Sequence, residues 1–431
     1  MHVTIVGAGF VGLPTGVALA LHGHSVVVID NDERRVDLIN QGVSPHFEQD
    51  LGLHLSAVVA DQRLLATAEE EPSLSGTDVV MICVPTPSTV DGPDLSILLG
   101  VVTSLAPRLP HHVTLIVKST VAVGTIRSLV APLLRDDIEL IYAPEFLRTG
   151  SAVADSLKPE RVVFGTRTGE GAEVARELFS FTGAPAIVTN FESAELIKYA
   201  ANLFLAMKVS FINEVARLAD HVGADVSVLR DALGRDSRIG ASHLAPGPGW
   251  GGSCFPKDIA ALEHLRTALG ITSPLLTATH ESNDDHVSYV VAKIRESVHR
   301  SGGSTVAIMG LAFKAGTNDL RDSPALRIAR ALRDAGLEVR AYDPVISAGT
   351  QHLDGIEVCS DAISATTGAS LVVILTEWPD FLQLPWADIA HAMATPVVFD
   401  TRYFVPEEQF RDAGLQQIGI GLPAPAVKVT Q

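Results

Sequence analysis

An α/β protein is predicted by three features of this chain. Short apolar runs alternate with amphipathic helical stretches over residues 1 to about 190. A segment free of glycine and proline follows, from Phe191 through Val222. A second set of apolar runs then opens after Ser301-Gly302-Gly303. Continuous apolar runs are the pattern of parallel strands buried on both faces, with helices as the crossovers. The expected architecture is two Rossmann-like doubly wound domains joined by a long central helix and a helical middle domain, with boundaries at 1–190, 191–300 and 301–431.

The first strands read as Val3-Thr4-Ile5-Val6, Ser25-Val26-Val27-Val28-Ile29-Asp30, Asp78 through Val84 and Thr114-Leu115-Ile116-Val117. Between the first strand and a helix starting near Leu13 lies Gly7-Ala8-Gly9-Phe10-Val11-Gly12. In a GxGxxG at such a junction the first glycine permits the turn and the second lets backbone N–H groups approach a pyrophosphate. The third lets helix pack on strand. Asp30 ends the second strand, 18 residues beyond Gly12. Its carboxylate suits the ribose hydroxyls of an adenosine and repels a 2′-phosphate, so NAD is favoured over NADP. Arg34 and Arg35 pull the other way, because an arginine can accept that phosphate.

Phe191–Val222 reads as one helix of about 45 Å at ~1.5 Å per residue, with Gly223 as its stop. More helix is expected to about residue 300, interrupted at Pro246-Gly247-Pro248-Gly249. After that break comes Trp250-Gly251-Gly252-Ser253-Cys254-Phe255-Pro256-Lys257-Asp258, with a helix read from Asp258. Glycines strip the approach to one thiol, while a helix dipole and a neighbouring ammonium favour the thiolate. That pattern points to a nucleophile. The second strand set reads as Ser304–Met309, Leu337–Asp343, Leu371–Leu375 and Pro396–Asp400, and the last few residues read as loose.

Composition narrows the rest. A chain of 431 residues exceeds one hydrophobic core, and 47% hydrophobic with 19% charged residues is a globular balance. No apolar run reaches the ~20 residues of a membrane helix. Met1 leads straight into a strand with no basic leader. Cys83, Cys254 and Cys359 are far apart with no CxxC pair, which argues against a disulfide frame and a zinc site. A cytoplasmic location is expected. A net charge of −18 disfavours nucleic acid as a partner, while a local basic site for a small anion stays open.

Further blocks carry a resemblance. They are Val84-Pro85-Thr86-Pro87, Lys118-Ser119-Thr120-Val121, Ala143-Pro144-Glu145-Phe146-Leu147-Arg148 and Glu195 through Asn202. The thiol block, Gly310-Leu311-Ala312-Phe313-Lys314 and Asp319-Leu320-Arg321-Asp322-Ser323 complete the set. With the GxGxxG they resemble, in order and over almost the whole chain, the UDP-glucose/GDP-mannose dehydrogenase family. The resemblance implies a four-electron oxidation of a sugar C6 hydroxyl to a carboxylate, with two NAD used in turn. Cys254 would hold the aldehyde as a thiohemiacetal and then a thioester, and Glu145 would activate water for hydrolysis. Lys198 and Asn202, spaced to share one helical face, would stabilise oxyanions, a role worth ~3–4 kcal/mol per well-placed donor. Asp258 would work with Lys198 and a water in the first deprotonation, though it also suits a helix N-cap. Thr120 would hold the catalytic water or carboxylate, and Thr86 and Ser119 would line the nicotinamide side.

The same resemblance puts Phe146, Leu147 and Arg148 in the sugar pocket, with His243, Trp250 and Gly251 near sugar or base. Lys314 and Arg402 would meet the substrate, Arg321 the cofactor, and Arg238 would come from a neighbouring subunit. The long helical segment, apolar along much of its length, is expected to form the interface of a homodimer or higher homo-oligomer, the alternative being burial between the two α/β domains. One departure is Thr149, where many members carry a second acid, so Glu145 stands alone. UDP-glucose is the first substrate choice; a dTDP- or GDP-linked hexose or a UDP-N-acetylhexosamine are alternatives. A two-electron β-hydroxyacid-type dehydrogenase or a non-catalytic NAD-binding protein are the competing readings, and neither uses Cys254.

Overall fold

The apolar runs become buried strands in a computed structural model that describes residues 1–69, 73–89, 92–351, 353 and 355–422. The C-terminal stretch read as loose lies outside these described residues. The chain divides into two units, Met1–Ala201 with Ala260–Gly270, and Asn202–Ile259 with Ile271–Gln431.

The first unit carries an eight-stranded sheet. From one edge its order is Ala186–Asn190, Val162–Thr166, Glu139–Tyr142, Thr114–Val117, Val79–Ile82, His2–Val6, Ser25–Ile29 and Leu64–Thr67. All neighbours are parallel except Glu139–Tyr142 with Val162–Thr166, which meet antiparallel at Tyr142 and Gly165. His2–Val6 pairs with Ser25–Ile29 on one side and Val79–Ile82 on the other. There the strand order reverses, and ligands of doubly wound sheets bind at such a switch point. Both faces are covered. Val79 and Met81 join one core with Val3, Ile5, Leu13 and Val17, while Val80 and Ile82 join another with Leu115, Val117 and Leu98. Each of the four is fully buried, worth about 1.5–3 kcal/mol for a large aliphatic side chain.

The second unit repeats the plan with six parallel strands: Glu357–Val358, Glu338–Tyr342, Thr305–Met309, Leu371–Ile374, Val397–Asp400 and Gln416–Ile418. Here too the central strand splits its side chains, Val306 and Ile308 to one core and Ala307 and Met309 to the other.

The long helix spans Phe191–Val222, 32 residues or about 48 Å, as read. Gly223, at φ +74°, stops it. Val226–Arg235 follows, capped by Asp225 on the Ser227 N–H, and later helices span Phe255–Leu269 and Pro274–Ser301. One start differs from the reading. The helix after the thiol begins at Phe255, because Pro256 suits a first turn that needs no N–H donor. Asp258 therefore sits inside the first turn and is not the N-cap. The Asp258 N–H donates to the Cys254 carbonyl at 2.9 Å, which makes Cys254 the residue at the cap.

Candidate active site

In the first unit, the glycine loop leaves the switch-point strand in a conformation side chains would block. Gly7 has φ +102°, and a β-carbon there would lie 2.6 Å from the Cys83 carbonyl oxygen. One on Gly12, the first residue of the helix Gly12–Leu21, would lie 1.9 Å from the Gly7 oxygen. Gly9 differs, since a β-carbon there meets nothing within 4 Å. Bare backbone thus faces open space at a helix N-terminus, which fits the pyrophosphate of NAD. Beside it the buried Asp30 accepts from Ala8 N at 2.8 Å and Asp32 N at 3.0 Å, and Arg35 Nη1 reaches both its oxygens. Phe10 packs on the His46 ring, centroids 4.3 Å apart. Val11 is half-buried beside it. Thr86 Oγ1 donates to the Thr120 carbonyl at 2.6 Å, and Ser119 Oγ to the Val84 carbonyl at 2.7 Å, so both hydroxyls fasten loops that follow strands.

Glu145 follows the strand Glu139–Tyr142 and is buried. Its Oε1 accepts from Lys198 Nζ at 2.9 Å and its Oε2 from Leu147 N at 2.6 Å. Burial alone would raise its pKa. The Lys198 charge and bond, the Leu147 N–H and the Lys118 charge outweigh that and hold it below the usual value. Glu145 is therefore ionised at neutral pH and able to accept a proton. Lys198 also lies 5.5 Å from the centre of the Phe146 ring, whose centre is 4.1 Å from the Arg161 guanidinium carbon. Leu147 is half-buried, and the exposed Arg148 is held by Asp155, Nη2 to Oδ1 2.5 Å.

Lys118 was not among the residues singled out, yet it is buried with the same group. Burial lowers its pKa, the charges of Cys83 and Glu145 raise it, and that of Lys198 lowers it again. Its only sequence signal was its place at the head of Lys118-Ser119-Thr120.

In the second unit, Asn202 Nδ2 donates to Asp258 Oδ2 at 2.5 Å, and Lys257 Nζ meets Asp258 Oδ1 at 2.7 Å. Asp258 is 1% exposed, so these donors balance a buried carboxylate in a helix's first turn, where the dipole also favours negative charge. The ammonium beside the thiol in sequence is thus paired with Asp258. Cys254 is half-buried, with Ser253 Oγ 3.8 Å from its Sγ. Arg321 is a cation that feels it. The Arg321 pKa is raised first by its bond to Asp319, against burial, and then by the charges of Asp319, Cys254 and Asp322. By contrast, burial pushes the Cys83 thiol up to about 12, and raises that of Cys359.

The glycines ahead of the thiol are pressed from outside. A β-carbon on Gly251 would lie 2.0 Å from the Asp322 carbonyl oxygen, and one on Gly252, at φ +82°, 2.7 Å from the Phe313 ring. Lys314 follows Phe313 and is half-buried. Trp250 is buried, edge-on to Phe255 at 6.4 Å, while His243, at φ +61°, lies 6.3 Å from the same ring. Arg402 Nε donates to the Leu375 carbonyl at 2.9 Å, and its guanidinium backs Gly247. The exposed Arg238 folds onto Asp236, Nη2 to Oδ2 2.5 Å.

Three family models match in order. These are the NAD binding domain of the UDP-glucose/GDP-mannose dehydrogenase family over residues 1–182, its central domain over 192–285 and its UDP binding domain over 307–407. Among curated relatives, the UDP-glucose 6-dehydrogenase TuaD of Bacillus subtilis (strain 168) is 37% identical, over 98% of this chain and 93% of its own. The UDP-glucose 6-dehydrogenase of Rhizobium meliloti (strain 1021) is 38% identical, over 98% and 100%. Among solved structures, a UDP-glucose dehydrogenase from the hyperthermophilic archaeon Pyrobaculum islandicum superposes with TM-score 0.87 at 31% identity, covering 98% of each chain. A UDP-D-ManNAc dehydrogenase from Pyrococcus horikoshii gives 0.86 at 28%, covering 98% of this chain and 99% of its own.

Fold, dinucleotide cradle and these likenesses define an NAD-dependent nucleotide-sugar dehydrogenase. The chain belongs to the UDP-glucose/GDP-mannose dehydrogenase family. Among the described residues no helix is long and apolar enough to cross a membrane.

Proposed function

We propose that this enzyme oxidises the C6 hydroxyl of UDP-glucose to the carboxylate, a four-electron conversion that passes through a thioester on Cys254. The observation that carries the reading is the half-buried thiol at the cap of Phe255–Leu269, an atom for which a two-electron alcohol dehydrogenase has no use. Bound NAD supplies the electron acceptor for both oxidations. Asp258, with Lys198 and a water, takes the proton of the primary alcohol. Cys254 Sγ adds to the aldehyde carbon, forming one C–S bond and an oxyanion that Lys198 and Asn202 stabilise. Loss of two electrons and a proton from that adduct leaves the thioester. Glu145, ionised through its Lys198 pairing, then takes a proton from the attacking water. The C–S bond breaks, Cys254 is regenerated as the thiolate, and Thr120 holds the water or the carboxylate in place.

On this reading Gly7, Gly9, Phe10, Val11, Gly12, Asp30, Arg35, Thr86, Ser119 and Arg321 serve NAD. Phe146, Leu147, Arg148, Arg238, His243, Trp250, Gly251, Lys314 and Arg402 serve the nucleotide sugar. The relatives named for UDP-glucose and the UDP binding domain support the substrate. The likeness to a UDP-D-ManNAc dehydrogenase keeps a UDP-N-acetylhexosamine as the second reading. We also propose a homodimer. Phe204, Phe211 and Leu218 are 57%, 50% and 61% exposed and lie seven residues apart, a large apolar stripe along one side of the long helix. Three cysteines far apart in sequence, with no CxxC pair, fit a reducing, cytoplasmic compartment.

NADH release from a panel of UDP-, dTDP- and GDP-hexoses tests the reading. UDP-glucose should give the highest kcat/KM, with two NADH per sugar consumed. One NADH per sugar would overturn the four-electron scheme, and preference for another donor would overturn the substrate.

A further inference from the structure

Backbone groups buried outside helices and sheets must find partners in turns, in side chains or in ordered water. The irregular segment leading to Cys254 meets this demand in an unusual way, with both backbone groups of two residues held by buried side chains. Gly247 N donates to Asn213 Oδ1 at 2.9 Å, and the Gly247 carbonyl accepts from His286 Nε2 at 2.8 Å. Trp250 N donates to Asn283 Oδ1 at 2.9 Å, and the Trp250 carbonyl accepts from Asn283 Nδ2 at 3.1 Å. The indole is anchored as well, Nε1 donating to Ser210 Oγ at 2.9 Å, which in turn donates to the Thr279 carbonyl. Ser210 and Asn213 come from Phe191–Val222, and Asn283 and His286 from Pro274–Ser301, all four buried.

Stability alone does not account for this clamp. Asn213 Nδ2 and His286 Nδ1 are buried without a protein partner, and each such atom costs about 1–3 kcal/mol. Apolar packing over a loop closed on itself would avoid that cost. What the clamp does provide is a fixed path. Trp250 is pinned four residues before Cys254, and the two intervening glycines press on Asp322 and Phe313, so little slack is left between anchor and thiol.

We infer that Asn213, Asn283 and His286 are positioning residues for Cys254, fixing the loop that delivers the thiol to its reaction geometry. The inference rests on the reading of Cys254 as the aldehyde acceptor, a step in which a misplacement of ~1 Å costs on the order of 100-fold.

Three variants test it in the full-length protein: Asn283→Ala, His286→Leu and the conservative His286→Gln, which keeps a donor for the Gly247 carbonyl. The readouts are kcat with UDP-glucose, the Kd for NAD, the far-UV spectrum, and the rate at which iodoacetamide alkylates Cys254, followed by peptide mass at fixed pH. Asn283→Ala and His286→Leu should lower kcat at least about tenfold and change the alkylation rate at least about threefold, with NAD affinity and spectrum kept. His286→Gln should recover most of both. Folded variants with wild-type kcat and wild-type alkylation would overturn the inference. Should Asn283→Ala not fold, Ser210→Ala, which removes the indole anchor and its bond to the Thr279 carbonyl but leaves the loop backbone's partners in place, asks the same question with the same readouts. If Cys254→Ala retains full acid formation, the proposed function fails instead; the alkylation rate still reports the loop.

Discussion

In the proposed scheme Cys254 and Glu145 divide the chemistry between attack and release, and each can be silenced separately. Replacing Cys254 with Ala removes the only atom proposed to hold the aldehyde, while every residue assigned to NAD is untouched. Acid formation should fall by at least about three orders of magnitude, the scale on which an acting nucleophile is lost, with NAD affinity unchanged by titration. Glu145→Gln keeps an oxygen for Lys198 and removes the carboxylate proposed as the base. It should accumulate the thioester, visible as a mass increase on the Cys254 peptide under substrate and NAD; unmodified Cys254 would count against Glu145 as the base. The thiol was legible in sequence because its glycines, proline and lysine stand beside it. Its electrostatics were not: Lys257 is taken by Asp258, and Arg321, far along the chain, couples to the thiol. The Glu145–Lys198 pair joins residues 53 apart; the family resemblance named each residue but not their pairing.

Elements show the same split between local and distant causes. The runs that became Thr114–Val117 and Thr305–Met309 were legible because both faces of each are buried. Ala186–Asn190, an edge strand with no fully buried residue, and Val162–Thr166, interrupted by Gly165, gave no such run. Gly165 is there because a β-carbon would sit 2.8 Å from the Ala194 β-carbon, a reason only the fold supplies. The thiol loop can be tested as an element through Gly251. Its would-be β-carbon collides with the Asp322 carbonyl at 2.0 Å and Pro324 Cδ at 2.8 Å, and backbone cannot swing aside as a side chain would. Gly251→Ala should lower stability by about 1–3 kcal/mol, the usual cost of overpacking, read from the shift in urea midpoint. It should also lower kcat, because the displaced segment carries Cys254. A wild-type midpoint and kcat together would mean that the loop has slack after all.

Buried titratable groups of opposite sign shape the pH response of the whole molecule. Burial raises Glu195 to about 7, although the Ile126 and Gly124 N–H groups and the Arg127 charge oppose it, with Glu192 adding to the rise. Burial raises Asp400 to about 6 against bonds from Arg402, Tyr403 and Gln417. From pH 4.5 to about 7 the native state keeps a proton on Glu195 that the unfolded chain has released, so this group lowers stability as pH rises. His286 and His46, both lowered to about 4 by burial first, have the reverse sign. The unfolded chain takes up their protons below 6.5 while the native state does not, so stability falls as pH drops from 6.5 toward 4. In the shared window the two slopes oppose, and the wild-type profile should be shallow. Glu195→Gln removes one side of this balance. Its unfolding free energy relative to wild type should rise between pH 4.5 and 7, by at most about 1.4 kcal/mol per pH unit, and level off above 7. A constant offset from the hydrogen bond lost at Gly124 or Ile126 shifts that curve without changing its slope. Urea unfolding of both proteins across the window measures it, and a flat difference would show that Glu195 titrates near its ordinary value in the fold.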